Sequence, residues 1–515
     1  MNGAECLLRT LVKSGVQVCF TNPGTSEMQF VAAFDKVRDI RAILGLFEGV
    51  ASGAADGYAR MADKPAATLL HLGPGLANAL ANFHNARKAR VPIINIVGEH
   101  ATYHRECDPP LGSDIRGFAG PVSGWIKSVE SPLEIPAVTR EAIFAARQPP
   151  GQIATLIVPA DCSWEDAPDP VQDALTVPAS SPVADETIAT VAQALQSGGQ
   201  SALLMSGSVL RETGLTLAGK IAARCNTRLF CDTFTPRIER GAGRTPVFTL
   251  PYFPEKALET LTGLDHLILV GTSAPVSFFA YPGVPNRLTP EGVQVHLLAQ
   301  PEQDGIDALD RLVDRLGAGK DKPRIQELHR PQPATGEFNP QTIAQTIAAL
   351  MPEQAIVIDE SVTGGLALNS LTAGAPPHDW LAQTGGSIGL GIPMAIGAAI
   401  ACPDRKVLCL EADGSGMSTL QGLWTQARES LNITTVIYSN RAYRILMMEH
   451  HRLGIGTPGP GAYDVMSLDR PDLYWVKLAE GMGIPAERVD SIDGFNHCLK
   501  SFLAEPGPNL IEAVY

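Results

Sequence analysis

A carboxylate and an amide, each closing an apolar run, are the first candidates for chemistry in this chain. Lys406-Val407-Leu408-Cys409-Leu410 reads as a buried strand. It leads into Ala412-Asp413-Gly414-Ser415-Gly416, a turn of small residues. Leu420, Leu423, Trp424 and Ala427 then follow at helical spacing. Ile433 to Tyr438 reads as the next strand and ends at Ser439-Asn440. The unit is strand–loop–helix–strand, with an oxygen donor at each strand end. In parallel sheets, ligands gather at the carboxyl ends of strands. One carboxylate plus one amide oxygen, beside glycines that free backbone N–H groups, suits a Mg²⁺ holding a diphosphate.

The second candidate is Glu48. It sits in Phe47-Glu48-Gly49-Val50-Ala51-Ser52-Gly53-Ala54-Ala55-Asp56-Gly57-Tyr58-Ala59-Arg60, a close-packing helix of small residues. A carboxylate among apolar neighbours is costly unless it is paired or protonated. Val16 to Phe20 and Ile40 to Leu44 read as the strands ahead of it, separated by Thr21-Asn22-Pro23-Gly24-Thr25-Ser26-Glu27, a loop entering a helix. A third candidate is His71, in Leu69-Leu70-His71-Leu72-Gly73-Pro74-Gly75-Leu76-Ala77-Asn78-Ala79, between a strand and a helix ending near Pro92. A glycine-rich stretch, Gln383-Thr384-Gly385-Gly386-Ser387-Ile388-Gly389-Leu390-Gly391, precedes another helix.

Together these segments resemble the thiamine diphosphate enzymes of the pyruvate oxidase, acetolactate synthase and benzoylformate decarboxylase group. Their metal motif is Gly-Asp-Gly followed by Asn-Asn; here Ala412 and Ser439 replace the first residue of each pair. The resemblance implies Mg²⁺ bound by Asp413, Asn440 and the carbonyl of Ala442. It implies cofactor contacts from Gly414 and Ser415, an Ile388 wedge between the cofactor's rings, and a Gly386 carbonyl accepting from its 4′-amino group. It places Glu48 on the glutamate that activates the pyrimidine ring. The His that usually precedes that glutamate is absent, and Leu46-Phe47 stand there. His71 is similar to an active-site His of benzoylformate decarboxylase, with Thr25 on that enzyme's loop Ser. The second active-site His of that enzyme would fall on Ala280.

The implied activity is decarboxylation of a 2-oxo acid through an ylid and an enamine, releasing an aldehyde. The alternatives are acetolactate-synthase-like joining of two 2-oxo acids, and a non-catalytic cofactor-binding relative. Typical acetolactate synthases carry a Trp downstream of the metal motif, and none occurs between Asn440 and Tyr474. The resemblance also implies a homodimer or homotetramer with sites at the subunit interface.

The rest of the chain must position these groups. Its 515 residues predict several domains. The expected class is α/β, with three doubly wound parallel-sheet domains: a pyrimidine-binding unit at 1–165, a middle unit at 185–320 and a diphosphate-binding unit at 338–515. Glu165 to Val183 and Lys320 to Pro340 read as polar, Pro-bearing linkers. The middle unit has no GxGxxG, so no FAD is expected. His450 and His451 are adjacent, point to different helix faces and should not share a metal. A net charge of −14 argues against nucleic acid or an anionic membrane as partner. Nine cysteines show no CxxC spacing and read as reduced thiols. The start, MNGAECLLRTLVKSG, has an amphipathic helical pattern without an h-region or cleavage site, so the cytoplasm is expected.

Overall fold

Apolar runs that are hydrophobic on both faces become central strands covered by helices on either side. The computed structural model, described for residues 1–170, 176–177 and 179–515, contains three such sheets. Part of the expected first linker, residues 171–175 and 178, lies outside the described residues.

The first sheet runs Arg41–Leu44, Val18–Asn22, Ala66–Leu70, Ile93–Glu99, Ile153–Pro159 and Trp125–Ser128, all parallel. The middle sheet runs Phe248–Thr249, Arg228–Cys231, Ser201–Met205, His266–Val270 and Gln294–Ala299. The third sheet runs Ala486–Val489, Asn509–Val514, Ile433–Ser439, Val407–Ala412, Ile356–Glu360 and His378–Ala382. Numbered along the chain, the strands of the first and third sheets follow the same spatial order, 2-1-3-4-6-5. The two outer units are therefore topological copies, which their sequences conceal.

The third sheet holds one departure from a purely parallel reading. Ile238–Arg240, from the middle region, pairs antiparallel with His378–Ala382 at its edge. Three residues are too few to carry a strand pattern. The strand is held instead by Arg237, whose Nε donates to Asp379 at 2.5 Å, and by Arg240 stacked 5.0 Å from the Trp380 ring. The helix expected after Asp413 is also broken, into Asp413–Gly416 and Gly422–Arg428.

The helices that follow the second strand of each outer sheet, Glu48–Ala62 and Gly391–Ala401, pack directly on each other. Glycines allow it. A Cβ on Gly57 would lie 2.1 Å from the Met394 carbonyl oxygen, and one on Gly397 would lie 1.9 Å from that of Ala54. At the same seam Asp56 and Arg60, both buried, form a two-bonded ion pair at 2.6 Å. Arg60 reaches on to the carbonyls of Pro236 at 3.0 Å and Ala382 at 2.8 Å, so one side chain ties all three units. No helix among the described residues is long and apolar enough to cross a membrane.

Candidate active site

In the first unit, the Ala66–Leu70 strand delivers His71 to the sheet's carboxyl edge. Leu72 follows in the left-handed region at φ +51°, a costly conformation for a side chain with a Cβ, and it turns the chain sharply into the Leu72–Ala89 helix. The neighbouring strand, Val18–Asn22, brings in a single 3-10 turn, Thr25–Glu27. Glu27 is fully buried there and meets His71 Nδ1 at 2.8 Å. Its carboxylate also accepts from the Gly24 N–H at 2.8 Å and the Ser26 hydroxyl at 2.7 Å. An ionised carboxylate only accepts, so it holds the proton on Nδ1 and leaves Nε2 for chemistry. Gly24 is required, since a Cβ there would stand 2.2 Å from Nδ1. Thr25 is exposed, and the hydroxyl beside His71 is that of Ser26, 3.2 Å away. Sequence alone does not mark Glu27 and Ser26 as site residues; their one local signal is the acid of a Gly-x-x-Glu turn after a strand.

Glu48 opens the Glu48–Ala62 helix and is 8% exposed. Asn78, from the next helix, donates to its Oε2 at 2.9 Å. That bond fixes one oxygen and leaves Oε1 beside Gly75, where a Cβ would come within 3.1 Å. A buried acid steered by an amide in this way is equipped to share a proton with a ring nitrogen.

In the third unit, Asp413 follows the Val407–Ala412 strand and is 2% exposed. It accepts from the Gly414 N–H at 2.9 Å and the Arg441 N–H at 2.6 Å. Arg441 is left-handed, at φ +57°, which bends the segment after Asn440 toward Asp413. Asn440 Oδ1 accepts from the Ala442 N–H at 3.0 Å. Asp413, Asn440 and Ala442 are thus gathered at adjacent strand ends. Burial raises the Asp413 carboxyl to about 6, against the pull of its backbone donors. A divalent cation would restore its charge, and the donor set is hard oxygen throughout. Gly414 and Ser415 are buried in the turn, with Tyr443 packed over Gly414, where a Cβ would lie 2.6 Å from the ring. Among the described residues no cluster of three or more His, Cys, Asp or Glu could hold a metal, and His450 and His451 stay on the Arg444–Arg452 helix.

The glycine-rich loop between these parts is pinned from two sides. Gly386 and Gly389 adopt φ +77° and +91°. From beneath, buried Glu360 accepts from the Gly389 N–H at 2.8 Å, from Gln383 Nε2 at 3.0 Å and from the Gly391 N–H. From the first unit, Asn85 donates to the Ser387 carbonyl at 2.8 Å and Asn82 to that of Gly389 at 3.1 Å. Burial raises Glu360 to about 7, and burial together with Glu360 holds Glu411 well above the ordinary range. Ile388 is 41% exposed and lines a cavity of about 470 Å³ with Gly386 and Glu449. Neither Glu48 nor Asp413 lines it.

Two profiles match this arrangement: "Thiamine pyrophosphate enzyme, N-terminal TPP binding domain" over residues 1–120, and its C-terminal TPP binding counterpart over 364–513. The "Putative acetolactate synthase large subunit IlvX" of Mycobacterium tuberculosis (strain ATCC 25618 / H37Rv) is 52% identical over 515 residues, covering 100% of this chain and 99% of that one. The chain belongs to the thiamine pyrophosphate enzyme family. The benzoylformate decarboxylase of Pseudomonas aeruginosa shares 26% identity, over 98% of this chain and 96% of its own. Among solved structures, a thiamine diphosphate-dependent 4-hydroxybenzoylformate decarboxylase of Rhodococcus jostii RHA1 superposes with a TM-score of 0.86. It shares 24% identity, over 100% of this chain and 99% of that one, and the likeness is one of fold. The two matched TPP-binding regions fall in the two topologically equivalent units, whose equivalent third strands lead into His71 and Asp413.

Proposed function

We propose that this thiamine pyrophosphate family member is a Mg²⁺-dependent cytoplasmic enzyme that decarboxylates a 2-oxo acid, as a homodimer or homotetramer. The observation that carries the reading is Glu48: a buried acid steered by Asn78. A site that only held the cofactor would have no use for such an acid, which argues against a non-catalytic relative. When bound, the cofactor supplies a nucleophilic carbon that adds to the keto group and takes up the electrons freed as CO₂ leaves. Asp413, Asn440 and the Ala442 carbonyl would hold Mg²⁺ on the diphosphate. Ile388 and the Gly386 carbonyl would support the rings, and Glu48 would share its proton with the pyrimidine N1′. His71, oriented by Glu27, would move a proton at the substrate end. Glu48 and Asp413 lie in different units and neither lines the Ile388 cavity. We therefore infer that each site is completed by a second copy of the chain.

A second reading, carboligation of two 2-oxo acids, draws on the name of the 52% identical relative. A product assay separates the two: pyruvate, phenylglyoxylate and branched 2-oxo acids, each with and without an acceptor aldehyde. Aldehyde and CO₂ in equal amounts without acceptor support decarboxylation, and acetolactate from pyruvate alone supports the second reading. His71→Ala should lower turnover while leaving cofactor affinity intact; lost affinity with unchanged turnover would remove His71 from the site.

A further inference from the structure

The cavity that begins at Gly386 and Ile388 is walled by rings from the middle unit. Phe234, Tyr252 and Phe278 form a triangle, with centroids 5.5 to 6.2 Å apart. Phe279 packs edge-on to Phe278 at 4.7 Å. Phe278 bears on the cofactor-supporting loop itself, its Cζ lying 2.6 Å from where a Gly386 Cβ would stand.

Glu449 lines the same cavity from the Arg444–Arg452 helix. Tyr281 donates its hydroxyl to Glu449 Oε1 at 3.1 Å. Burial, and then the Glu449 carboxylate, push the Tyr281 phenol up, so it remains a donor. Arg452 stacks 3.9 Å from the Tyr281 ring centroid, pairs with Glu255 at 2.5 Å and lies 3.7 Å from Oε1. Tyr281 and Arg452 both meet Glu449 at Oε1. Oε2 makes no hydrogen bond among the described residues. Glu449 is thus fixed along one edge with an acceptor to spare, in a cavity otherwise rich in aromatic faces.

Resting on the decarboxylase reading, we propose that this cavity selects a 2-oxo acid whose side chain is a flat ring carrying a hydrogen-bond donor, with the ring seated among Phe234, Tyr252, Phe278 and Phe279 and the donor bound by Glu449. Ring faces and edges prefer aromatic partners. A hydrogen bond to a carboxylate is stronger than a neutral one, and a ligand without the donor would strip water from the partly exposed Glu449 carboxylate and return nothing to it. A methyl side chain, as in pyruvate, would fill little of the cavity and leave Glu449 unanswered.

The test compares pyruvate, phenylpyruvate and 4-hydroxyphenylpyruvate as substrates of the protein loaded with thiamine diphosphate and Mg²⁺. The hydroxylated acid should exceed phenylpyruvate in kcat/KM by at least about tenfold, the scale of a hydrogen bond to a charged group. Glu449→Leu should erase that difference and Glu449→Gln, which keeps an acceptor, should retain most of it. Calorimetric titration with 3-phenylpropionate and 3-(4-hydroxyphenyl)propionate, which lack the keto group, reads the cavity without turnover. Donor-dependent binding with no 2-oxo acid consumed would sink the decarboxylase reading and keep the pocket assignment. Equal binding of the two propionates, a preference surviving Glu449→Leu, or pyruvate as the best substrate would overturn the proposal.

Discussion

The Asp56–Arg60 pair offers a sharp test of how the units are joined. Arg60→Met would strip a fully buried carboxylate of its only ion-pair partner among the described residues and remove a donor from the Ala382 carbonyl. Breaking a buried pair from one side costs about 3–5 kcal/mol. Asp56→Ala should cost less, because Arg60 keeps the Pro236 and Ala382 carbonyls and a 3.3 Å contact to the Thr384 hydroxyl. Burial already pushes the Asp56 carboxyl up despite the guanidinium, so attraction does not fully offset desolvation in this pair. The double variant should therefore fall short of the summed single losses, with a coupling of about 1–3 kcal/mol. Arg60→Met also raises the folded carboxyl further above its unfolded value. Stability is then greatest in acid and falls as pH rises, so the defect should be worst at neutral pH and shrink on acidification. A three-unit chain need not unfold in one step, so the assay is hydrogen exchange at the Ala382, Ser387 and Gly389 amides. Local opening should become about 10²- to 10⁴-fold more frequent in Arg60→Met. Exchange at wild-type rates, or strictly additive losses, would refute the reasoning.

Asp413→Ala should abolish Mg²⁺-dependent cofactor binding in calorimetry; wild-type affinity with excess EDTA would remove the metal assignment. Glu48→Gln should still bind the cofactor but exchange its C2 proton far more slowly, with turnover down at least ~10²; unchanged exchange would contradict the role. The cofactor-free protein should lose stability as pH rises through about 7, because the folded Glu360 carboxyl titrates above its ordinary 4.5. Glu360→Gln should flatten that part of a thermal-melting profile, and an unaltered slope would assign it elsewhere. Mixing inactive Glu48→Gln and Asp413→Ala proteins should restore activity after subunit exchange, since a mixed dimer holds one intact pair; a fully active monomer by sedimentation would count against shared sites.

Much of this arrangement was legible because it is local. Asp413 and Asn440 close apolar runs, and the runs themselves announce buried strands; the Phe47–Arg60 stretch likewise carries its close packing in its own small residues. What escaped is tertiary. Nothing near Glu27 in the sequence points to His71, and nothing near Glu360 points to Gly389, because those contacts join separate strand ends. The Ile238–Arg240 strand is set by its partner rather than by its own pattern. The two outer units share a strand order that no sequence repeat reveals, since topology survives when side chains diverge. The resemblance points to Thr25 for the loop hydroxyl, and the turn places Ser26 beside His71 instead.

The shared strand order of the two outer units bears on which positions can change. Two halves with one topology present matching strand ends, and these now carry unlike residues: an imidazole backed by an acid on one side, a buried carboxylate among backbone donors on the other. What holds the two halves in this relation is the glycine seam between the Glu48–Ala62 and Gly391–Ala401 helices. Such a seam is hard to remodel gradually, because a methyl added at Gly57 or Gly397 meets a carbonyl oxygen. Strand-end residues and the middle unit's aromatic wall can therefore change without moving one half against the other, whereas a side chain added at the seam cannot.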